Sequence, residues 1–565
     1  MIHFKNVYYS YPTRDVPTIN GITLDIERGD FVLVSGPTGC GKTTLVKMLN
    51  GIIPHLSKGK FCGELSILGR DVCSSSMEEL TEEVGLIFQS PDDQIISNTV
   101  EEEIAFGLEN LGFNSRQITQ RVDWALKKTN IVNLKERDTK ELSGGQKQRV
   151  VIASQIAMQP KILVFDEPLS QLDPKGAKEV MECIVDLNKE GITVIIIEHR
   201  VADIARYVNK VLLLDKGRVA YYGDVKESFK KAFLIYKQLG VQIPEEIKLS
   251  LGLGIKEITF FYEKLKSAFE NKKRKQHLPF CEQKLRVFTN HSASLNKIIS
   301  LWEIDFEYVK EKPVLAGLTL DFYEGQNVAL MGANGSGKST LISLIAGINK
   351  ASNGVVELNG QKVNFIKNKQ RASLVGLLIQ NPDLMLFCET VEKELLFGPE
   401  HKRIKHNEAV LRMNNILENL GLNEYINDAP FALSVGQRLR TALGAVLTLQ
   451  PSVLLLDEPT TGQNQENIVK VMKTLKGLSF IKSIIFCTHD IYTAVHFADR
   501  IIVLNSGQVA FDGRAKDVFN DLELMKKNSL SVPAPVRLSK ECGCQKTFLT
   551  AEELIKSFLN TESAT

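Results

Sequence analysis

Short, unbroken apolar runs recur along this chain at two matching sets of positions. Phe31-Val32-Leu33-Val34 and Val328-Ala329-Leu330-Met331 show no polar alternation, and the same holds for Ile162-Leu163-Val164-Phe165, Val194 to Ile197, Val453-Leu454-Leu455-Leu456 and Ile484 to Phe486. A strand with one wet face alternates, whereas a continuous run of four or five suits a parallel sheet covered on both faces. Between these runs, on both sides of Gln89, the pattern reads as helical, so the chain is expected to be α/β. Punctuation divides it into a first domain at 1–235, with its core ending near Gly223, then a helical extension and polar linker at 236–300. A second domain comes next at 301–530, with its core from about Leu301 to Gly513, then a C-terminal extension at 531–565 with a helix start at Thr550.

The first apolar run of each set leads into a distinctive glycine-rich segment. Gly36-Pro37-Thr38-Gly39-Cys40-Gly41-Lys42-Thr43 and Gly332-Ala333-Asn334-Gly335-Ser336-Gly337-Lys338-Ser339 both fit G-x-x-x-x-G-K-[ST] between a strand and a helix, the context that defines a phosphate-binding P-loop. Glycines let backbone N–H groups close around phosphate oxygens, and the helix N-terminus adds favourable partial charge. The lysine reaches the terminal phosphates and the hydroxyl binds Mg²⁺. The repetition continues downstream. Gln89 recurs as Gln380, Leu142-Ser143-Gly144-Gly145-Gln146 as Leu433-Ser434-Val435-Gly436-Gln437, and Asp166-Glu167-Pro168 as Asp457-Glu458-Pro459, each 291 positions later. His199 recurs as His489 after 290. A period of this length means two homologous domains, not a solenoid.

Composition changes this picture little. The hydrophobic content of 43% suits ordinary globular cores, and a net charge of +2 gives no general drive toward nucleic acid. No apolar run approaches the roughly 18–20 residues of a membrane span, and the start Met1-Ile2-His3-Phe4-Lys5 does not read as a signal peptide. The nine cysteines are scattered without C-x-x-C pairs; Cys542-Gly543-Cys544 reads as a surface thiol pair, and free thiols beside a nucleotide site point to a reducing cytoplasm. Lys272-Lys273-Arg274-Lys275 reads as a solvated linker run, with attraction to an anionic membrane as the lesser alternative.

P-loop, Gln, Leu-Ser-Gly-Gly-Gln, Asp-Glu and His, in this order and twice over, resemble the nucleotide-binding domains of ATP-binding cassette (ABC) proteins. The resemblance implies two P-loop NTPase domains, each with a mostly parallel core sheet, a helical subdomain and a β-rich subdomain. It implies that ATP is held by Gly36, Gly39, Gly41, Lys42, Thr43 and Thr44 in one site and by Gly332, Gly335, Gly337, Lys338, Ser339 and Thr340 in the other. Tyr11 and Tyr308 would stack on adenine, the second aligning only with a one-residue gap. Mg²⁺ would be held by Thr43, Gln89 and Asp166, and by Ser339, Gln380 and Asp457. Glu167 and Glu458 would orient and deprotonate the attacking water, and His199 and His489 would face the γ-phosphate. The family pairs its two domains intramolecularly, so that Ser143, Gly144 and Gly145 face the site built on Lys338, while Ser434 and Gly436 face the site built on Lys42. The second half departs from the pattern at Val435, in place of a glycine, and at Asn464, where the first half has Asp173. Both departures fall on the Lys42 site, so the two sites are expected to be unequal.

Ile87-Phe88-Gln89-Ser90-Pro91-Asp92, then Thr99-Val100-Glu101-Glu102-Glu103-Ile104-Ala105-Phe106-Gly107, is similar to the ATPases of energy-coupling factor (ECF) importers, the cobalt-type transporters of vitamins and metal ions, in their fused two-cassette form. Gln380-Asn381-Pro382-Asp383 and Thr390-Val391-Glu392-Lys393-Glu394-Leu395-Leu396-Phe397-Gly398 echo it, and the segments around Pro244 and Pro535 are also similar to that group. The resemblance implies a peripheral subunit at the cytoplasmic face of the membrane, partnered by a transmembrane T component and a substrate-binding S component. Alternatives are the fused ATPase of a sugar or peptide importer, or a tandem cassette acting on ribosomes; the zinc-binding cysteine pairs of a DNA-repair cassette are lacking. Without a span or a strongly amphipathic apolar stretch, the purified chain is expected to leave neutral liposomes unbound in a flotation assay, yet to co-purify with a multi-span protein on co-expression. Tight binding to neutral liposomes by the isolated chain would count against membrane association through partners.

Overall fold

The apolar runs become inner strands of two parallel sheets, each with a core on either face. The computed structural model describes residues 1–12, 16–170, 172–255, 258–275, 296–460, 465–528, 530–544 and 546–562, and it divides into two units, Met1–Leu265 and Lys266–Thr565.

In the first unit, β1 (Ile2–Ser10), β2 (Ile19–Ile26), β4 (Lys60–Ile67) and β5 (Arg70–Asp71) form an antiparallel sheet in the order β2-β1-β4-β5. A second sheet runs β10-β9-β3-β8-β7-β6, from β3 (Phe31–Ser35), β6 (Val84–Ile87), β7 (Ile162–Asp166), β8 (Thr193–Ile197), β9 (Lys210–Asp215) and β10 (Arg218–Asp224). Its strands are parallel except at the β10 edge. Side-chain alternation explains the composition of its strands. Phe31, Leu33, Leu163, Phe165, Val194 and Ile196 join a core shared with the helices Val100–Asn110, Ser115–Lys128 and Gly144–Ala157. Their neighbours Val32, Val34, Ile162, Val164, Ile195 and Ile197 face the opposite way, toward the antiparallel sheet and the helix Lys42–Leu49.

The second unit repeats the plan. Strands β11 (Lys297–Val309), β12 (Lys312–Tyr323), β14 (Asn353–Leu358) and β15 (Gln361–Lys362) pair as β12-β11-β14-β15. The parallel sheet runs β16-β17-β18-β13-β19-β20, from β13 (Asn327–Met331), β16 (Val375–Leu378), β17 (Val453–Asp457), β18 (Ser483–Cys487), β19 (Arg500–Asn505) and β20 (Gln508–Gly513). Leu454, Leu456, Ile484 and Phe486 point to one core; Val453, Leu455, Ile485 and Cys487 point to the other. The P-loops are 296 positions apart and the glutamines 291. The first unit carries an additional wide turn, Ile52–Leu56, whose five residues account for the difference.

Several sequence boundaries move. The second unit's first strand begins at Lys297 rather than Leu301, because Ile298 and Ile299 are already buried. The helix Tyr262–Lys275 runs into the expected linker, while residues 276–295 and the side chains of 273–275 lie outside the described residues. Within the second unit, Phe269 is buried with its ring 5.2 Å from Phe558, and Lys266 pairs with Glu541 at 2.9 Å. The Cys542-Gly543-Cys544 segment is not a surface thiol pair. Cys542 is buried with its thiol 3.9 Å from a Glu270 carboxylate oxygen, since the turn after the helix Ala534–Glu541 folds inward. Thr550 does start a helix, accepting the Glu553 N–H at 3.2 Å ahead of Ala551–Glu562.

Leu163 is fully buried on an inner strand of its sheet, whereas Phe365 is 84% exposed. Leu163→Ala is expected to destabilise the first unit by about 2–5 kcal/mol through transfer and cavity terms. Phe365→Ala should stay within roughly 0.5 kcal/mol. Thermal unfolding of the two variants beside the parent checks both.

Candidate nucleotide sites

Each parallel sheet presents its chemistry at the carboxyl ends of its strands, where open α/β sheets bind ligands. The P-loop leaves β3 with Gly36 at φ 151°, Gly39 at 81° and Gly41 at 105°. A Cβ on Gly36 would fall 2.3 Å from the Leu214 carbonyl oxygen, so no other residue fits there. Lys42 is buried and donates to the carbonyls of Gly36 at 2.9 Å and Pro37 at 3.0 Å, which holds its ammonium inside the curl of the loop. Lys338 does the same with Gly332 at 2.8 Å and Ala333 at 3.0 Å.

β7 delivers Asp166 and Glu167, and β8 delivers His199. Burial pushes the Asp166 carboxyl up to about 7, and the Glu167 charge adds to this; the Thr43 hydroxyl bound to it, and Lys42, act in the opposite sense. Such a desolvated carboxylate beside a hydroxyl is an oxygen donor set short of positive charge, which fits Mg²⁺. Burial works against ionised Glu167 too, but His199 beside it draws its carboxyl below the usual range. The imidazole Nε2 lies 3.1 Å from one Glu167 oxygen, and the Gln89 amide donates to the other at 2.9 Å. Lys42, Thr43, Gln89, Asp166, Glu167 and His199 therefore surround one P-loop. Tyr11 joins them at the rim, its hydroxyl 3.2 Å from Thr44 Oγ1.

The second unit assembles the same groups with differences. His489 Nε2 lies 3.3 Å from Glu458 and 3.0 Å from Asn334 Oδ1, so the imidazole also touches the P-loop. Burial raises the Asp457 carboxyl, while the Ser339 hydroxyl and the Cys487 thiol bond to it and lower it; the first unit has Ile197 where Cys487 stands. Gln380 is exposed, whereas Gln89 is half-buried. Tyr308 lies 3.4 Å from Thr340 Oγ1, the counterpart of the Tyr11 contact despite the one-residue gap.

Both glutamates that come after the strand aspartates adopt left-handed backbone, Glu167 at φ 51° and Glu458 at φ 49°. A non-glycine residue held there costs about 1–3 kcal/mol and concentrates at functional sites. Nothing in the sequence announces this conformation. Asn334 joins the site as well; its signal in the sequence is a polar side chain within the second P-loop at the position that Thr38 holds in the first.

Ser143 caps the helix Gly144–Ala157 through a capping box with Gln146, and Ser434 caps Val435–Leu447 with Gln437. A Cβ on Gly144 would meet nothing closer than Leu172 at 3.7 Å, and one on Gly145 nothing closer than 3.6 Å. Local crowding therefore does not require these glycines, and Val435 is accommodated at the same helix position. Thr99 and Thr390 cap the helices after the glutamine loops, and Glu103 accepts the Ile96 and Ser97 N–H groups at 2.9 and 2.8 Å, as Glu394 does for Phe387 and Cys388. The repeated Thr-Val-Glu segment is thus partly a device for fixing that loop. Asp173 accepts the Gly176 N–H at 2.7 Å; Asn464 lies outside the described residues.

Two sheets with a P-loop, paired acids and a histidine at their strand ends define a tandem P-loop nucleoside-triphosphatase. A family model described as ABC transporter matches residues 19–170 and 315–461. An ABC transporter ATP-binding protein of Methanosarcina mazei is 39% identical over 99% of this chain and 96% of its own length. One of Caldanaerobacter subterraneus is 33% identical over 98% of this chain and 97% of its own. The solved cbiO1 of Clostridium perfringens, described as part of the ABC transporter complex cbiONQ, is 36% identical over 42% of this chain and 93% of its own, with a TM-score of 0.38. The chain belongs to the ABC transporter family and is an ATP-binding protein and ATP hydrolase with two cassettes.

Because a side chain at Gly144 finds room, Gly144→Val is expected to leave the melting temperature nearly unchanged, within roughly 0.5 kcal/mol. It should still lower ATP turnover at least tenfold, part of the roughly 10²–10³-fold that losing a donor at a transition state costs, because the added side chain keeps phosphate away from the helix N–H groups. Equal loss of folding and turnover would assign the glycine to structure instead.

Proposed function

We propose that this chain is the ATP-hydrolysing subunit of an ECF-type importer, taking up a vitamin, vitamin precursor or metal ion. The reading is carried by the Gln-x-Pro-Asp and Thr-Val-Glu segments that recur in both units at the same place after β6 and β16. Such a subunit sits at the cytoplasmic membrane face with a T component and an S component, and selection of the substrate belongs to the latter. That no helix among the described residues is long and apolar enough to cross a membrane is compatible with this division.

In the proposed mechanism the P-loop N–H groups and Lys42 or Lys338 bind the phosphates, and Tyr11 or Tyr308 packs on adenine. Thr43, Asp166 and Gln89 would hold Mg²⁺ in one site; Ser339, Asp457 and Gln380 would hold it in the other. When bound, the ion neutralises charge developing on the phosphates. Glu167 and Glu458 accept a proton from the attacking water, each with a histidine at hydrogen-bond distance to fix its orientation. The two domains pair intramolecularly: the Ser143 and Asp173 segments complete the Lys338 site, and the Ser434 segment, with Val435, completes the Lys42 site.

Val435 and Asn464 weaken only one of the two proposed sites. Glu458→Gln is therefore expected to abolish nearly all turnover, while Glu167→Gln leaves a measurable fraction; losing a positioned base costs roughly 10²–10⁴-fold at the site it serves. Equal loss from both single variants in a steady-state ATPase assay would sink the asymmetry.

Gln89 donates to the proposed base Glu167 and lies at the head of a proline-containing loop, which supports the reading that it transmits the nucleotide state as that loop shifts. Replacing Gln89 or Gln380 by alanine should lower uptake in cells more than it lowers ATP binding by the isolated chain. Unimpaired uptake by the double alanine variant would leave these glutamines as ordinary turn residues and remove the main support for the importer reading.

A further inference from the structure

Six cations gather in the second unit at positions where the first unit has none. Lys362 ends β15, Lys367 precedes the helix Asn368–Leu374 and Lys369 lies in it. Lys402, Arg403 and Lys405 lie where the helix Val391–His401 gives way to His406–Leu420. Lys402 donates to the Ser373 hydroxyl, so this connection abuts the short helix. Lys369 is four positions before Ser373 and shares the helix face that Lys402 reaches. Five of the six are exposed and Lys402 is half-buried; among the described residues none of the six is ion-paired. Subtracting the repeat offset of 291 gives Asp71, Ser76, Glu78, Leu111, Gly112 and Asn114, two acids and no cation. The first unit builds the same elements without them, Met77–Glu83 answering Asn368–Leu374, with Val72 buried as Val363 is. Folding therefore does not call for these cations. Nor does it call for Phe365, 84% exposed, whose counterpart is Ser74. Buried Val363 and Ile366 hold the turn on either side of it and leave the ring in solvent between Lys362 and Lys367.

We propose that this basic surface of the second unit binds anionic lipid headgroups, its cations meeting the phosphates and Phe365 entering the boundary with the acyl chains. Clustered Lys and Arg around an exposed aromatic ring is the chemistry of an interfacial contact. The whole chain carries +2, so the remainder without these six carries 2 − 6 = −4. Attraction to an anionic surface is thus confined to this face, and repulsion elsewhere turns the face toward it. A bilayer can meet cations spread over two chain segments at once. A transporter-family ATPase without a spanning helix among its described residues works beside one. The inference goes beyond the importer reading, since it needs only membership of the ABC transporter family, and it leaves neutral bilayers unbound.

The test is flotation of the full chain with vesicles of phosphatidylcholine and phosphatidylglycerol in equal parts, beside vesicles of phosphatidylcholine alone. The parent should float with the first and not the second, and should be released as salt rises. Each Lys or Arg near an anionic surface strengthens binding roughly fivefold. The variant K367Q/K369Q/R403Q/K405Q should therefore bind at least about a hundredfold more weakly, at unchanged melting temperature and ATP turnover. Replacing residues 272–275, the other basic run, by glutamine should leave binding intact. Phe365→Trp should add emission that shifts to the blue when anionic vesicles bind. A parent that stays unbound, a quadruple variant that binds as the parent does, or loss from the 272–275 variant alone would overturn the proposal. So would capture of a single-stranded RNA oligonucleotide without flotation, lost in the same quadruple variant, which would assign the surface to nucleic acid. Vesicle binding without the blue shift would refute the part given to Phe365.

Discussion

A loop that wraps phosphate oxygens with its own N–H groups must bring its backbone against the neighbouring strand, and that requirement organises everything else in each unit. At Gly36 and Gly332 a side chain would land within 2.3 Å and 2.2 Å of a carbonyl oxygen from the next strand, Leu214 and Leu504. The loop can be so tight only because β3 and β13 are inner strands, fixed by partners on both sides and by cores on both faces. The same arrangement gathers the strand ends. Acids from β7, a histidine from β8 and a glutamine after β6 converge on the loop because their strands lie in one parallel sheet with a common direction.

Low dielectric in this convergence zone does the chemical sorting. Asp166 and Glu167 are neighbours in sequence, yet burial pushes the first carboxyl up to about 7 while His199 holds the second below its usual range. One acid is left short of positive charge, as suits a cation ligand, and the other is kept ionised, as suits a base. Neighbouring carboxylates are thus set apart by what each meets: Asp166 ends the strand beside Thr43, while Glu167 turns away in left-handed backbone toward His199.

Much of this was legible in the sequence. Continuous apolar runs marked the parallel strands because burial on two faces removes alternation, and the P-loops, acids and histidines came at spacings the sheet explains. Less local features were not. The left-handed backbone of Glu167 and Glu458 comes from tertiary context, with each N–H bonded to the end of the neighbouring strand. The bond from Gln89 to Glu167 and the exposure of Gln380 depend on loop placement that identical Gln-x-Pro-Asp segments do not encode. The inward turn at Cys542 arises from packing against Glu270, 272 residues away.

The pairing of Phe269 with Phe558 has a bearing on where the second cassette can be cut. The internal repeat places a seam between the copies near the start of β11, but the physical unit begins earlier, at Lys266. Residues that belong, by sequence correspondence, to the tail of the first copy fill the apolar face of the last helix in the second. A gene cut at the duplication seam would therefore leave that helix with an uncovered aromatic ring. A separately made second cassette would therefore have to begin no later than Lys266 to keep that ring covered.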